Sequence, residues 1–137
     1  DAKYYKGPVN YPGVIIDDES YEKYVDTSRT SLVSRIEEER AREHFDIDKL
    51  RKIMEPAVKK ATECGLQLYC NEFGALPNVE RNMRLQYYKD ITTVFKENNI
   101  VFAAWDFKGN FGIVGWDGEK RENTFVDKEL IKILTDY

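Results

Sequence analysis

Glu72 stands where a strand has no ordinary use for a charge. It ends the apolar run Leu66-Gln67-Leu68-Tyr69-Cys70-Asn71-Glu72-Phe73, which then breaks at Gly74. A buried carboxylate is costly unless it is paired, hydrogen-bonded or used. A strand end that opens into a loop is where α/β enzymes keep their reactive groups. The bland alternative is a structural carboxylate paired with a loop arginine or lysine. A second group of interest is aromatic. Nine Tyr, seven Phe and two Trp make up 13% of the chain, and a carbohydrate or other planar-faced ligand would use the same side chains as a core. Metal chemistry has no support: His44 is the single histidine, and Cys64 and Cys70 lack metal-ligand spacing. The two cysteines read as small buried hydrophobes. No disulfide between them is indicated.

These groups need elements to hold them. The 137 residues fit one domain, with a net charge of −4. No basic patch suits a phosphate backbone, which argues against nucleic acid. No apolar run approaches the about 20 residues of a membrane span. The chain opens on Asp1 without a signal peptide, and we read it as a piece of a longer protein.

Residues 1–16 read as a packed loop punctuated by Gly7-Pro8 and Pro12-Gly13, with Tyr4, Tyr5 and Tyr11 between the breaks. Asp17 to Arg42 reads as helical, with a second run from Ser31 whose apolar stripe is Leu32, Val33, Ile36 and Ala41. Asp46 or Asp48 caps a further helix, with a kink or restart expected near Pro56 and a stop at Gly65. Strand Leu66–Phe73 follows, then an amphipathic helix from about Glu80 to Asn98, then the apolar strand Ile100–Trp105. Strand, helix, strand implies a parallel pair. Asp117-Gly118 marks a short hairpin, Glu119–Thr124 reads as polar surface, and Asp127 caps a last helix. Two parallel strands that are apolar on both faces need neighbours and covering layers. We therefore expect part of a larger α/β structure.

Asn71-Glu72-Phe73-Gly74-Ala75, an arginine early in the next helix (Arg81 or Arg84), and Ala104-Trp105-Asp106-Phe107-Lys108-Gly109-Asn110-Phe111-Gly112-Ile113 occur in this order. Together they resemble the C-terminal part of glycoside hydrolase family 5, the cellulase and mannanase family of (β/α)8 barrels. Tyr11-Pro12-Gly13 resembles the loop after that family's sixth strand. The resemblance covers about residues 8–135. It implies an α/β fold consisting of strands 7 and 8 with helices 6 to 8 of a TIM barrel, incomplete without an N-terminal complement. Residues 1–137 would be the C-terminal segment of a single catalytic domain.

On this resemblance Glu72 is the catalytic nucleophile and Trp105 the platform beneath the sugar. Asp106 either binds a sugar hydroxyl or caps its loop. Trp116 either lines an outer subsite or packs under the hairpin. Arg81 and Arg84 are structural. A retaining glycosidase needs two carboxyl groups about 5–5.5 Å apart. The family's acid/base glutamate follows an asparagine at the end of the fourth strand, and no Asn-Glu-Pro occurs here. Many members carry glycine where this chain has Asn71. The implied activity is that of an endo-acting retaining β-1,4-glucanase, with β-mannanase, xyloglucanase or licheninase as alternatives. A non-catalytic carbohydrate-binding module is the competing class. No cofactor is implied. The expected partners are a β-1,4-linked polysaccharide and the N-terminal segment of the same enzyme, as a second chain. Location follows from the substrate: secreted or periplasmic.

Overall fold

The computed structural model describes residues 7–24, 39–76, 79–109, 111–117 and 122–136. Its centre is a parallel pair, β3 (Tyr69–Phe73) beside β4 (Val101–Ala104), joined by the helix α3 (Arg81–Glu97). Ahead of it lie β1 (Gly13–Val14), α1 (Asp18–Tyr24), β2 (His44–Phe45) and α2 (Ile47–Cys64). After it come β5 (Val114–Asp117), β6 (Glu122–Val126) and α4 (Lys128–Thr135). β1 pairs with β2, and β5 with β6, both antiparallel.

The helices begin and end where local chemistry dictates. Asp46 caps α2 by accepting from the Lys49 N–H at 2.9 Å. Gly65 closes it in the left-handed conformation, φ 66°, with its N–H turned back to the α2 carbonyls. The helix runs through Pro56 without the expected restart. Glu80 caps α3 by accepting from Asn82 and Met83. Asn99 takes a positive φ of 51° directly after α3, which asparagine tolerates better than most side chains.

α3 supplies most of the core. Leu85, Tyr88, Ile91, Val94 and Phe95 are buried along one face and meet Phe73, Ile100 and Leu130. Phe95 packs edge-on to Phe73 at 5.1 Å and stacks on Phe102 at 5.3 Å. The opening loop lies against the same helix. The Tyr11 hydroxyl donates to Asp90 Oδ2 at 2.8 Å, and its ring meets Tyr87 edge-on. Burial, then the bond to Asp90, raises the Tyr11 hydroxyl well above its usual range. Burial also pushes Tyr87 up to about 12.

Several expectations change. The strands are shorter than Leu66–Phe73 and Ile100–Trp105, because the ladder forms only where both backbones run side by side. His44, just past the run read as helical, is on a two-residue strand, where it pairs with Val14. Glu119–Thr124 is not all loose surface: residues from Glu122 onward pair with β5. Cys64 is exposed at the end of α2 and Cys70 is half-buried, so neither is a fully buried hydrophobe, and both are free thiols. The run from Ser31 through Leu32, Val33 and Ile36, together with Tyr4 and Tyr5, lies outside the described residues. Among the described residues, no helix is long and apolar enough to cross a membrane.

The sheet has one dressed face and one bare face. Leu68, Cys70, Phe73, Phe102 and Ala104 turn toward the helical core. Alternation puts Tyr69, Asn71, Val101, Ala103 and Trp105 on the other face. There Tyr69 is 61% exposed and Trp105 51% exposed.

Phe95 is almost fully enclosed between α3 and both strands. Phe95→Ala is expected to cost about 3–5 kcal/mol of stability. Urea unfolding followed by circular dichroism measures this.

Candidate active site

Glu72 lies in a local irregularity of β3. Cys70 pairs with Phe102 and Phe73 with Ala104, so three steps along β3 oppose two along β4. The extra residue makes a β-bulge at Asn71-Glu72. A bulge interrupts the ladder and re-aims a side chain. Without it, strict alternation from core-facing Cys70 would send Glu72 to the core side. With it, Asn71 and Glu72 are both exposed and Phe73 returns to the core. The Cys70 thiol donates to the Glu72 carbonyl at 3.4 Å, next to the interrupted ladder.

Among the described residues, no side chain bonds the Glu72 carboxylate. The described arginines of the following helix do not supply the partner that the structural reading of Glu72 calls for. Arg81 and Arg84 are engaged elsewhere.

Trp105 sits one residue beyond β4. Its N–H donates to the Phe73 carbonyl at 2.7 Å, which ties the end of β4 to the end of β3. The following peptide, Trp105–Asp106, is cis. Gly74 presses directly on the Trp105 carbonyl: a methyl group on Gly74 would overlap that oxygen. The two site residues thus occupy adjacent strand ends, held together by backbone contact.

Asp106 follows Trp105 directly and turns toward its own loop. Its carboxylate lies against Gly109, and its Oδ1 is buried without a partner among the described residues. Its backbone carbonyl accepts from Ile113, closing the loop on itself. Trp116 lies on β5, its backbone paired with Asn123, and its side chain is outside what is described.

The support beneath the two strand ends was not foreseen. Asp127 is buried, with its side chain 1% exposed. It accepts from Arg81 at 2.8 and 2.9 Å, from Arg84 at 3.4 Å, and from the Leu130 N–H at 3.0 Å as the cap of α4. The paired Arg81 holds the Asp127 carboxyl below the usual carboxylate range, with the Leu130 bond and Arg84 adding to it. The capping role was visible in the sequence. The arginine pairing joins positions more than forty residues apart and left no local signal.

A groove between α2 and the end of α3 is lined by Arg51, Lys52, Glu55, Val58, Glu97 and Asn98. It lies toward the strand starts, away from Glu72. Arg51 is committed there to Glu97 and Asp48, as in a structural seam.

No protein-family model matches the chain. Over 86 residues it is 30% identical to Endoglucanase C of Acetivibrio thermocellus, covering 62% of this chain and 24% of that protein. The match to Endoglucanase C307 of Clostridium sp. has the same identity and extent. The chain therefore spans about a quarter of the length of these curated relatives. Among solved structures, a hyperthermophilic endo-β-1,4-glucanase with bound substrate aligns at TM-score 0.54 and 18% identity, over 66% of this chain and 28% of that one. Thermotoga maritima Cel5A with mannotriose aligns at TM-score 0.55 and 19% identity, over 65% and 27%. The resemblance to the family 5 cellulases thus holds in sequence and in fold, and the fold is that of part of such a barrel.

Two outcomes follow from this geometry. Asp127→Asn leaves the buried Arg84 without its counter-charge and is expected to cost about 3 kcal/mol at neutral pH. The folded Asp127 has the lower pKa, so its contribution is complete above the unfolded value of about 3.9 and fades as pH falls through the folded one. Denaturant midpoints of the two proteins should therefore converge below about pH 4. Gly74→Ala forces the β3 exit away from Trp105 and is expected to cost about 1–3 kcal/mol, read from the same unfolding curves.

Proposed function

We propose that this chain is the C-terminal segment of the catalytic domain of an endo-acting, retaining β-1,4-glucanase. In this reading β3 and β4 are the seventh and eighth strands of a (β/α)8 barrel, and α2, α3 and α4 are its sixth to eighth helices. The bare face of the β3–β4 pair is the barrel interior. The rest of the barrel, joined to this chain or assembled with it, covers that face and brings the acid/base glutamate.

One observation carries the reading. A carboxylate without a side-chain partner among the described residues and a half-exposed indole stand at neighbouring ends of two parallel strands, on the side away from the helices. Parallel strands in a barrel deliver their C-terminal ends to a common mouth. The apolar C–H face of a pyranose would lie on Trp105. Glu72, ionised, attacks the anomeric carbon as the partner glutamate, about 5–5.5 Å away, protonates the leaving oxygen. The C–O bond breaks and a glycosyl ester forms on Glu72. Water, deprotonated by the same partner, then releases the sugar and frees Glu72.

The names of the relatives support β-1,4-glucan as substrate. Thermotoga maritima Cel5A has been solved with cellobiose and with mannotriose, so mannan is the nearest alternative for this chain. A polymeric substrate places the enzyme outside the cytoplasm, secreted or periplasmic. Asp106 serves its loop in this reading, not the sugar.

Glu72→Gln keeps size and removes the nucleophile. In the enzyme that contains this chain, its hydrolysis of a soluble β-glucan, followed by reducing ends, is expected to fall about 10⁴-fold. Near-normal turnover would sink the assignment. Trp105→Ala should raise KM by about tenfold through loss of the stacking surface.

A further inference from the structure

We infer that Arg84 is the positioning residue that sets the Glu72–Trp105 separation, an assignment that rests on the function proposed above. Its guanidinium is 4% exposed and lies beneath both strand ends. Nε donates to the Ala75 carbonyl at 3.1 Å, three residues past Glu72. Nη2 donates to the Phe111 carbonyl at 3.1 Å, in the loop that leaves Trp105. One rigid fork therefore spans the two loops that carry the reacting carboxylate and the sugar platform. The Tyr88 hydroxyl accepts from the Ala75 N–H at 3.1 Å, so the β3 exit is gripped on both sides of one residue. The Arg84 guanidinium lies 5.4 Å from the centre of the same tyrosine ring.

The distances separate this role from simple charge pairing. Arg81 already satisfies Asp127 at 2.8 and 2.9 Å, while Arg84 reaches it only at 3.4 Å. The shorter bonds of Arg84 go to the loop carbonyls. Asp127 makes its burial tolerable, and the carbonyls are what it holds. Lysine cannot reproduce this, because an ammonium is a point charge without a planar fork. Small misplacements of reacting groups cost large rate factors.

The test compares Arg84→Lys, Arg81→Lys and Glu72→Gln in the enzyme that contains this chain, at a temperature where circular dichroism reports native helix. Arg84→Lys should lower kcat on soluble β-glucan by about 10–100-fold while KM stays within about twofold. Arg81→Lys touches the same aspartate but neither loop carbonyl, and should leave kcat unchanged. Equal losses in both arginine variants, or a wild-type kcat in Arg84→Lys, would overturn the inference. If Arg84→Lys does not fold, Arg84→Gln decides on the same criterion. A dead Glu72→Gln beside a normal Arg84→Lys removes only the positioning role. An active Glu72→Gln removes the underlying function instead.

Discussion

A carboxylate and a guanidinium taken out of water together set the terms for the rest of this chain. Burying either alone would cost several kcal/mol, and the pair is tolerated only when the remaining donors and acceptors are used. Here they are. Both Asp127 oxygens accept two bonds each, and Arg84 spends its other donors on two backbone carbonyls. Three segments far apart in sequence depend on this one cluster: the exit of β3, the loop after β4 and the first turn of α4. The cluster does for the loops what the β3–β4 ladder does for the strands.

The bare sheet face and the proposed need for a partner carboxylate concern the same side of the sheet. A strand that is apolar on both faces is normal in an all-parallel sheet, where helices cover one side and other strands or side-chain layers the other. Here α3 covers one side with Tyr88, Val94 and Phe95, while Tyr69 and Trp105 look outward. The exposed aromatics follow directly from a strand pair dressed on one side. The same face carries Glu72. On the function proposed above, the layer that covers this face and the group that completes the chemistry come from the same direction.

Much of the frame could be read from the sequence because its signals are local. Asp46, Gly65 and Asp127 are caps whose chemistry lies within one turn of the residues they serve. The inner face of α3 follows from helical spacing, and Leu85, Tyr88, Ile91, Thr92 and Phe95 are all buried. Glu72 and Trp105 were legible from position and from the motif around them, and the fold brings them to adjacent strand ends. What escaped reading depends on distance or on counting. The His44 strand has only two residues and exists because Val14 lies opposite it. The Arg81–Asp127 contact joins two helices with no sequence mark on either. The close approach of the Asp106 carboxylate to Gly109 depends on a glycine three residues on and has no mark at Asp106 itself.

The bulge at Asn71-Glu72 has a consequence for how such a site can change. It acts as a phase boundary in β3. Upstream of it, odd-numbered positions face one way, and downstream the parity is reversed. The helix-facing sequence and the site-facing sequence are thereby decoupled. Core residues such as Leu68 and Cys70 can drift with the packing of α3 without dictating where Glu72 points. Closing the bulge with every residue kept would swing the carboxylate into hydrocarbon, although no contact of Glu72 itself had been touched. The outward aim of this carboxylate therefore resides as much in the register of its strand as in the glutamate itself.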